Sequence, residues 1–236
     1  MASEQSPLRF KGAPTRLTAT LPSPEGAARS GRLILPGKDP LPLTIRRVRS
    51  IAPSLAVLSV RLPKSTRPGS YAGSAEVGGK QIPVVIEVEA RPRLRFLPPK
   101  VSFRGSPGAR LRTKVTVLNL GNVDVAIERE STFCIFDNRG MDRAFYQALT
   151  EKVEDGKRRI DRVLDELAEC HGGLVRAVVR EGAGELPPEA ARELTVEFQF
   201  SRRMRGGGTY RGGWLISEAS LEVEIEATKT VEEGAE

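Results

Sequence analysis

Apolar and polar residues alternate along several short segments of this chain, and the same order of segments occurs twice. Residues 69–77 (GSYAGSAEV) and 209–216 (TYRGGWLI) each place a Tyr, a Gly and apolar side chains at every second position. A second alternating segment follows in each copy, at 84–90 (VVIEVEA) and at 221–227 (LEVEIEA). A period of two is typical of a half-buried β-strand. The pattern therefore predicts a turn, a Tyr-bearing strand, a second turn and another strand, written twice.

The repetition extends upstream of the Tyr-bearing segments. Residues 55–63 and 194–200 each alternate, and each precedes its Tyr element. Further back, residues 32–45 align with 114–127 as a strand, a turn and a second strand. The turn Asn119–Asn122 contains residue types that tolerate a positive φ. Short strands separated by frequent Gly and Pro favour an all-β sandwich.

The length of the repeat predicts two tandem domains and not a solenoid. With 236 residues, the chain is long enough for two small domains. We place the first β-sandwich at residues 6–90 and the second at 91–230. Residues 90–99 (ARPRLRFLPP) are short and contain Pro, which predicts a semi-rigid junction between the two.

One segment resembles the opening of immunoglobulin-like domains of the abnormal-spindle/Hydin type. Pro98 to Ile127 carries a Pro and a Phe before a Gly, then an alternating strand, then Asn-x-Gly-Asn. It is also similar to the Ig-like modules appended to bacterial glycosidases and surface proteins. The second half of those modules often contains Pro-Gly-x-Tyr-x-Gly, the motif of Pro68 to Gly73 here. The resemblance covers most of both repeats. It implies a mainly β fold of two Ig-like sandwiches that bind other proteins or space domains apart, and that rarely catalyse.

The repeated Tyr agrees with that resemblance. Ig sandwiches often place a Tyr near the start of strand F, with its hydroxyl bonded back to the backbone a few residues upstream. Tyr71 and Tyr210 fit that position. Two residues later, where antibody domains have a Cys, this chain has Gly73 and Gly212, so no intersheet disulfide is available there.

The second repeat is longer than the first because of an insertion at about residues 139–172. Apolar residues at i, i+3, i+4 and i+7 within 157–170 predict an amphipathic helix that ends at Gly172-Gly173. Apolar residues four apart within 141–154 predict a helix before it. In the first repeat the equivalent place is residues 49–54. The insertion is expected either to cap the sandwich or to dock a partner. The docking residues would be Phe145, Leu149, Val153, Arg158, Arg162 and Glu166.

The charge balance adds a second candidate function. Lys and Arg number 37 against 30 Asp and Glu, a formal net charge of +7, which favours weak attraction to anionic surfaces. The densest basic clusters could form one stripe: Arg46, Arg47, Arg49, Arg91, Arg93 and Arg95. Aromatic residues make up only 5% of the chain, which weakens a single-strand nucleic-acid claim because stacking platforms need exposed rings. Polyanion binding is therefore the alternative to protein binding.

Candidate catalytic chemistry is sparse. The single His, His171, stands beside Cys170 at a predicted helix end, and adjacent helical side chains point about 100° apart, so the two cannot easily hold one metal. The segment 203–213 (RMRGGGTYRGG) lacks the ending of a phosphate loop and is better explained as a loop between strands. We expect no enzyme, no metal and no cofactor. Cys134 and Cys170 are expected to be reduced thiols, with a bridge between them left open.

Three hypotheses follow from the sequence. The leading one is a non-catalytic Ig-like adaptor or structural component of a larger assembly, with a protein or another copy of itself as partner. Polyanion binding is the second, and an enzyme built around His171 is the third. The N-terminal residues lack the order of a signal peptide and no apolar run is long enough to cross a bilayer, which predicts a cytoplasmic location.

Overall fold

A computed structural model of the chain describes most of its residues, and the contacts between them divide the chain into two units. The first unit contains Met1–Arg93, Leu120–Asp124 and Pro187–Glu189, and the second contains Leu94–Asn119, Val125–Leu186 and Ala190–Glu236. The described residues are 7–15, 17–22, 30–37, 39–47, 55–137, 142, 146, 150, 161, 164 and 170–228. The boundary that the sequence predicts at residues 90 and 91 stays a prediction.

The described residues of the first unit form seven strands, which are hydrogen-bonded in a closed order. The strands are β1 (Leu8–Gly12), β2 (Leu17–Pro22), β3 (Ser30–Ile34), β4 (Leu41–Arg47), β5 (Leu55–Val60), β6 (Gly69–Val77) and β7 (Lys80–Val88). Their order is β1-β2-β5-β4-β3-β6-β7, with β1 parallel to β7 and antiparallel to β2. The core is built from the inward side chains of these strands, among them Phe10, Leu17, Leu33, Leu43, Leu58 and Ile86.

The second unit contains an eight-stranded sheet and a separate two-stranded one. The strands are β8 (Leu94–Leu97), β9 (Lys100–Gly105), β10 (Arg110–Asn119), β11 (Val125–Ile127), β12 (Glu130–Phe136), β13 (His171–Glu181), β14 (Gly184–Leu186), β15 (Ala191–Gln199), β16 (Thr209–Ile216) and β17 (Ala219–Ala227). The large sheet runs β8-β10-β15-β13-β12-β16-β17-β9, and β11 pairs with β14. Trp214 lies in the core, with its ring centroid 5.7 Å from those of Phe96 and Phe198.

Both units have the same strand order, which is that of an immunoglobulin-like domain. In the second unit β8-β10-β15-β13 follows the order A-B-E-D, and β12-β16-β17 follows C-F-G. In the first unit β2-β5-β4 and β3-β6-β7 occupy the same positions. In each unit, the strand that precedes strand B in the sequence pairs in parallel with the last strand of that unit. These pairs are β1 with β7 and β9 with β17. Each unit therefore repeats one β plan.

The strand order corrects two expectations about the repeat. We aligned residues 32–45 with 114–127, but 32–45 contains β3 and β4, whereas 114–127 contains β10 and β11. The counterpart of β10 is β2, so the segment that we aligned in the first unit begins one strand too late. We also expected the counterpart of the insertion at residues 49–54. The insertion follows β12, and the counterparts of β12 and β13 are joined by residues 35–40.

The two repeated tyrosines make the expected bonds to upstream backbone. The Tyr71 hydroxyl donates to the Arg67 carbonyl at 2.7 Å, and the Tyr210 hydroxyl accepts from the Arg205 N–H at 2.8 Å. We predicted that both hydroxyls bond to backbone a few residues upstream, at the start of the strand in position F. This prediction is confirmed. The direction of the bond differs between the copies, because one partner is a carbonyl and the other an amide.

The glycine two residues after each tyrosine is required by a neighbouring strand. A Cβ at Gly73 would lie 2.5 Å from the carbonyl oxygen of Ile34, and one at Gly212 would overlap the carbonyl oxygen of Cys134. A real Cβ cannot approach backbone oxygen that closely. The Gly is repeated because β3 lies too close to β6, and β12 too close to β16, for a side chain to fit. Antibody domains carry a Cys at this position.

The segment expected to be a junction contributes a strand. Within residues 90–99, Leu94–Leu97 forms β8, which pairs with β10 and buries Leu94 and Phe96 in the second core. The alternation of apolar and Arg residues in this segment is that of a strand with one buried face. The junction prediction is wrong for these four residues.

The Asn119–Asn122 turn has a different physical basis from the one expected. None of its residues has a positive φ. Asn119 and Asn122 are both buried and serve as hydrogen-bonding groups. Within the first unit, Asn122 accepts from the Arg91 N–H at 2.7 Å and donates to the carbonyls of Thr66 and Glu89 at 3.0 and 2.9 Å. The side chain thus satisfies three backbone groups at once.

The predicted helical insertion lies largely outside the described residues. Asp142, Tyr146, Thr150, Asp161, Leu164 and Cys170 are described there, and their backbone is helical. Gly172 and Gly173 are not the end of a helix, because β13 begins at His171 and contains both. No helix among the described residues has the length and apolarity needed to cross a bilayer.

Candidate functional site

The outer face of the second unit carries exposed apolar side chains next to the insertion. Inward and outward positions alternate along each strand. In β12, Ile135 is buried while Cys134 and Phe136 face outward, and in β13, Val175 is buried while Leu174 faces outward. Phe136 is 36% exposed and Leu174 is 58% exposed. Charged residues such as Glu130 and Arg176 lie at other outward positions of the same two strands.

The strand register brings these side chains into one patch. Cys134 lies opposite Leu174, and Phe136 lies opposite His171, with the ring centroids of Phe136 and His171 5.2 Å apart. On its other side, Phe136 is paired with Arg211 of β16. We call Cys134, Phe136, His171 and Leu174 the Phe136–Leu174 patch.

The loop between β15 and β16 lies against the start of β13, beside this patch. Gly173 has a φ of 94°. A Cβ there would overlap the Ser201 hydroxyl and would lie 3.7 Å from the Cβ of Arg203. The loop is also fastened to the turn before β10, because the Gly108 N–H donates to the Ser201 carbonyl at 3.0 Å. Arg202 and Arg203 are both exposed.

Five arginines lie on the strands and the loop near the patch. Arg202 and Arg203 come from the β15–β16 loop, and Arg211 pairs with Phe136. Arg176 lies opposite Gln199, and Arg110 lies opposite the same Gln199 on its other side. We call these five residues the arginine rim: Arg110, Arg176, Arg202, Arg203 and Arg211.

Two of the rim arginines are engaged by carboxylates. Arg176 donates through Nη2 to Glu130 at 2.5 Å, and this bond lowers the pKa of Glu130 and raises that of Arg176. Arg211 pairs with Glu224, whose pKa is lowered first by the bond from Lys100 and then by that from Arg211. Among the described residues, no carboxylate forms an ion pair with Arg110, Arg202 or Arg203.

A buried carboxylate fixes the strands next to the patch. Glu197 of β15 is 4% exposed, although it lies on the outer face, because the side chains around it cover it. It accepts from Arg180 at 2.7 Å, from Arg112 at 2.7 Å and from Gln199 at 3.1 Å. These bonds, that from Arg180 first, lower the pKa of Glu197 to about 2. Glu197 therefore links β10, β15 and β13 across the outer face.

The low pKa of Glu197 predicts a pH-dependent stability of the second unit. The folded pKa is about 2 and the ordinary value is 4.5, so the stabilisation is complete above 4.5 and is lost as the pH falls towards 2. We expect Glu197→Gln to reduce this loss, because a neutral amide does not titrate. The measurement is the unfolding midpoint of both proteins between these two pH values, followed by Trp214 fluorescence. An unchanged slope in the variant would mean that Glu197 titrates normally.

The docking residues predicted in the insertion lie outside the described residues. These are Phe145, Leu149, Val153, Arg158, Arg162 and Glu166. Two other apolar residues of the insertion are described, and both are exposed: Tyr146 at 69% and Leu164 at 58%. The docking assignment therefore stays a prediction.

The predicted basic stripe is distributed over several parts of the chain. Arg46 and Arg47 lie on β4, and Arg49 is outside the described residues. Arg91 and Arg93 belong to the first unit, whereas Arg95 lies on β8 of the second; the last three are exposed. The stripe as a single surface stays a prediction.

The arginine rim and the patch were missed from the sequence. The segment 203–213 was interpreted as a loop between strands, and residues 200–208 do join β15 to β16. The available signal was the phase of the alternation, since Phe136 and Leu174 occupy the outward positions of their strands. The pairing of β12 with β13 across the insertion joins residues far apart in sequence, and no local pattern indicates it.

The candidate redox and metal residues form neither a disulfide nor a metal site among the described residues. Cys134 is exposed and Cys170 is buried, and no disulfide joins the two. The His171 ring packs against Phe136. Within the described part of the chain, no group of three His, Cys, Asp or Glu side chains is positioned to hold a metal ion.

Comparison with known proteins gives no family. No protein-family model matches the chain, and no curated protein matches it. A solved protein of unknown function from Porphyromonas gingivalis W83 is similar with 9% identity, over 94% of this chain and 97% of that one, at a TM-score of 0.27. A titin fragment has 11% identity over 96% and 97%, at 0.32. Fibronectin(III)-like modules of CbhA from Clostridium thermocellum have 14% over 100% and 96%, at 0.24. TM-scores of this size carry no argument, so the site rests on the residues of this chain.

Proposed function

We propose that this chain is a non-catalytic Ig-like interaction module that acts as an adaptor or structural component of a larger assembly. The observation that carries the proposal is the Phe136–Leu174 patch, which exposes an aromatic and an aliphatic side chain on a strand face. Large exposed apolar groups surrounded by charged ones are typical of protein-binding surfaces. A binding partner would remove these side chains from water.

The proposal includes two tandem domains of the abnormal-spindle/Hydin type. The strand order shared by the two units supports a common Ig-like plan. Ig-like sandwiches use their strand faces, edges and end loops to contact partners. The insertion belongs to the same proposal: it leaves β12 directly after Phe136 and returns at β13, so its predicted docking residues would extend the surface that begins at the patch.

The test is capture of partners from the native source with the full chain as bait. We expect a stoichiometric protein partner that the double variant Phe136→Ser/Leu174→Ser loses, because Ser removes most of the apolar area without changing charge. The matched control is Leu120→Ser in the first unit, which removes an apolar side chain that is 41% exposed. The control should retain the partner.

Two results would count against the proposal. A wild-type chain that captures no protein at stoichiometric amounts is not an interaction module under native conditions. Equal capture by the double variant and by the control would assign the partner to another surface. Fluorescence of Trp214 reports whether each variant keeps the second unit folded, since this is the one Trp in the chain.

A further inference from the structure

We propose that the Phe136–Leu174 patch and the arginine rim together bind an acidic peptide segment of a partner protein. The inference rests on the proposed function and names the chemistry of its partner. An apolar side chain of the peptide would cover Phe136 and Leu174. Carboxylates on either side of it would pair with the rim arginines that form no ion pair within the described part of the chain.

The arrangement of the rim supports carboxylate binding. Arg110, Arg202 and Arg203 are exposed and form no ion pair among the described residues. Arg202 lies against the turn that precedes β10, because a Cβ at Gly108 would come within 2.9 Å of the Arg202 Cγ. Guanidinium groups bind carboxylates with two parallel hydrogen bonds, which a lysine cannot do.

Two rim arginines lie on the same outward face as the patch. Arg211 is paired directly with Phe136, and Arg176 lies two residues after Leu174 on β13. Arg203 lies beside Gly173, which precedes Leu174 in β13. A peptide that crosses this surface would therefore meet an apolar contact between two cationic contacts. In protein interfaces, a desolvated apolar anchor provides most of the affinity while charges at its rim give specificity and speed association.

The same observations favour a peptide over a nucleic acid. The Phe136 ring packs against His171, with the ring centroids 5.2 Å apart, and is only 36% exposed, so less of the ring is accessible for base stacking. Three arginines without an ion pair among the described residues give few phosphate contacts, and phosphate contacts supply most of the affinity for nucleic acids. A peptide with an apolar side chain would also gain affinity from Phe136 and Leu174.

The test is selection from a phage-displayed library of random peptides of about twelve residues against the full chain. We expect selected peptides to be enriched in Asp and Glu around one aromatic or aliphatic residue. Arg202→Gln/Arg203→Gln should lose the acidic enrichment, and Phe136→Ser/Leu174→Ser should lose the apolar one. Arg61→Gln/Lys64→Gln, which removes two exposed charges from the first unit, should select the same peptides as the wild type.

Affinities of one selected peptide complete the test. We expect Arg202→Gln/Arg203→Gln to bind it about tenfold more weakly than the wild type at low salt, since two charge-assisted contacts are lost. Selection of non-acidic peptides, or an unchanged affinity in this variant, would overturn the proposal. Displacement of the peptide by an oligothymidylate, with the same dependence on Arg202 and Arg203, would assign the surface to nucleic acid and overturn it as well.

This experiment separates the inference from the function on which it rests. A native partner that is lost in Phe136→Ser/Leu174→Ser but retained in Arg202→Gln/Arg203→Gln would leave the interaction module in place and reject the acidic peptide. Both arginines lie in an exposed loop, so their substitution keeps the inference testable even if the apolar variant fails to fold.

Discussion

Replacing Asn122 by alanine is expected to lower the free energy of unfolding of the first unit by about 3 kcal/mol. The Asn122 side chain is 1% exposed and bonds to the Arg91 N–H and to the carbonyls of Thr66 and Glu89. Alanine would remove all three bonds and leave these backbone groups to be satisfied in a site that excludes most water. Leaving a buried polar group unsatisfied costs about 1–3 kcal/mol.

Hydrogen exchange followed by mass spectrometry is the measurement for this variant. Trp214 reports only the second unit, so protection of residues 69–88 in β6 and β7 must report the first. The matched control is Asp124→Ala, which breaks the exposed ion pair of Asp124 with Arg67, 2.6 Å long. Exposed ion pairs contribute about 0–1 kcal/mol. A loss in Asn122→Ala no greater than in the control would show that the buried amide is not a main stabilising group.

Replacing Gly212 by alanine is expected to destabilise the second unit by about 3 kcal/mol or to prevent its folding. The added Cβ would overlap the Cys134 carbonyl and lie 2.9 and 3.0 Å from side-chain carbons of Ile135 and Phe133. Backbone oxygen cannot rotate away, so β12 and β16 would have to separate. Their separation would disturb Trp214, two residues further along β16.

The adjacent glycine provides the control for this prediction. A Cβ at Gly213 would lie 2.6 Å from the Ser220 hydroxyl, which can rotate away because it ends a flexible side chain. Gly213→Ala should therefore cost well under half as much as Gly212→Ala. Guanidinium unfolding followed by Trp214 fluorescence compares the two variants. Equal midpoints would contradict the view that close strand approach demands the repeated glycine.

The repeated architecture was predictable because its signals are local. A period of two identifies strands such as β6 and β16 from a few consecutive residues. The tyrosine bonds to Arg67 and Arg205 were predictable for the same reason, since each joins residues only four or five positions apart. These features depend on side-chain alternation and on turn length, both of which are written directly in the sequence.

The sequence did not show which strand of the first unit corresponds to which strand of the second. The segments 32–45 and 114–127 both contain two strands and a turn, so their patterns match although their places in the sheets differ. Only the pairing of β3 with β6 and of β12 with β16 shows which strands correspond. Because strand pairing joins distant residues, alternation alone does not determine it.

The candidate surface depends on the same long-range pairing. Phe136 and Leu174 are separated in sequence by the whole insertion, and the β12–β13 register brings their strands together. The loop that carries Arg202 and Arg203 packs against Gly173, which lies between His171 and Leu174 of the patch in β13. The sequence predicts only that the Arg- and Gly-rich residues 203–213 form a loop between strands, and it does not indicate what the loop contacts. The buried roles of Asn119 and Asn122 were missed for a similar reason, since their bonding partners Leu186, Thr66 and Glu89 are far along the chain.

The most direct measurement of the central claim is a hydrogen-exchange footprint of the full chain with its captured partner. The account predicts increased protection at residues 134–136, 171–176 and 201–205 of the second unit, because the partner would cover the patch and the rim. These segments should change together, and β6 and β7 of the first unit should stay unchanged. Protection confined to the first unit, or a complex that leaves Phe136 and Leu174 exchanging as in the free chain, would contradict it.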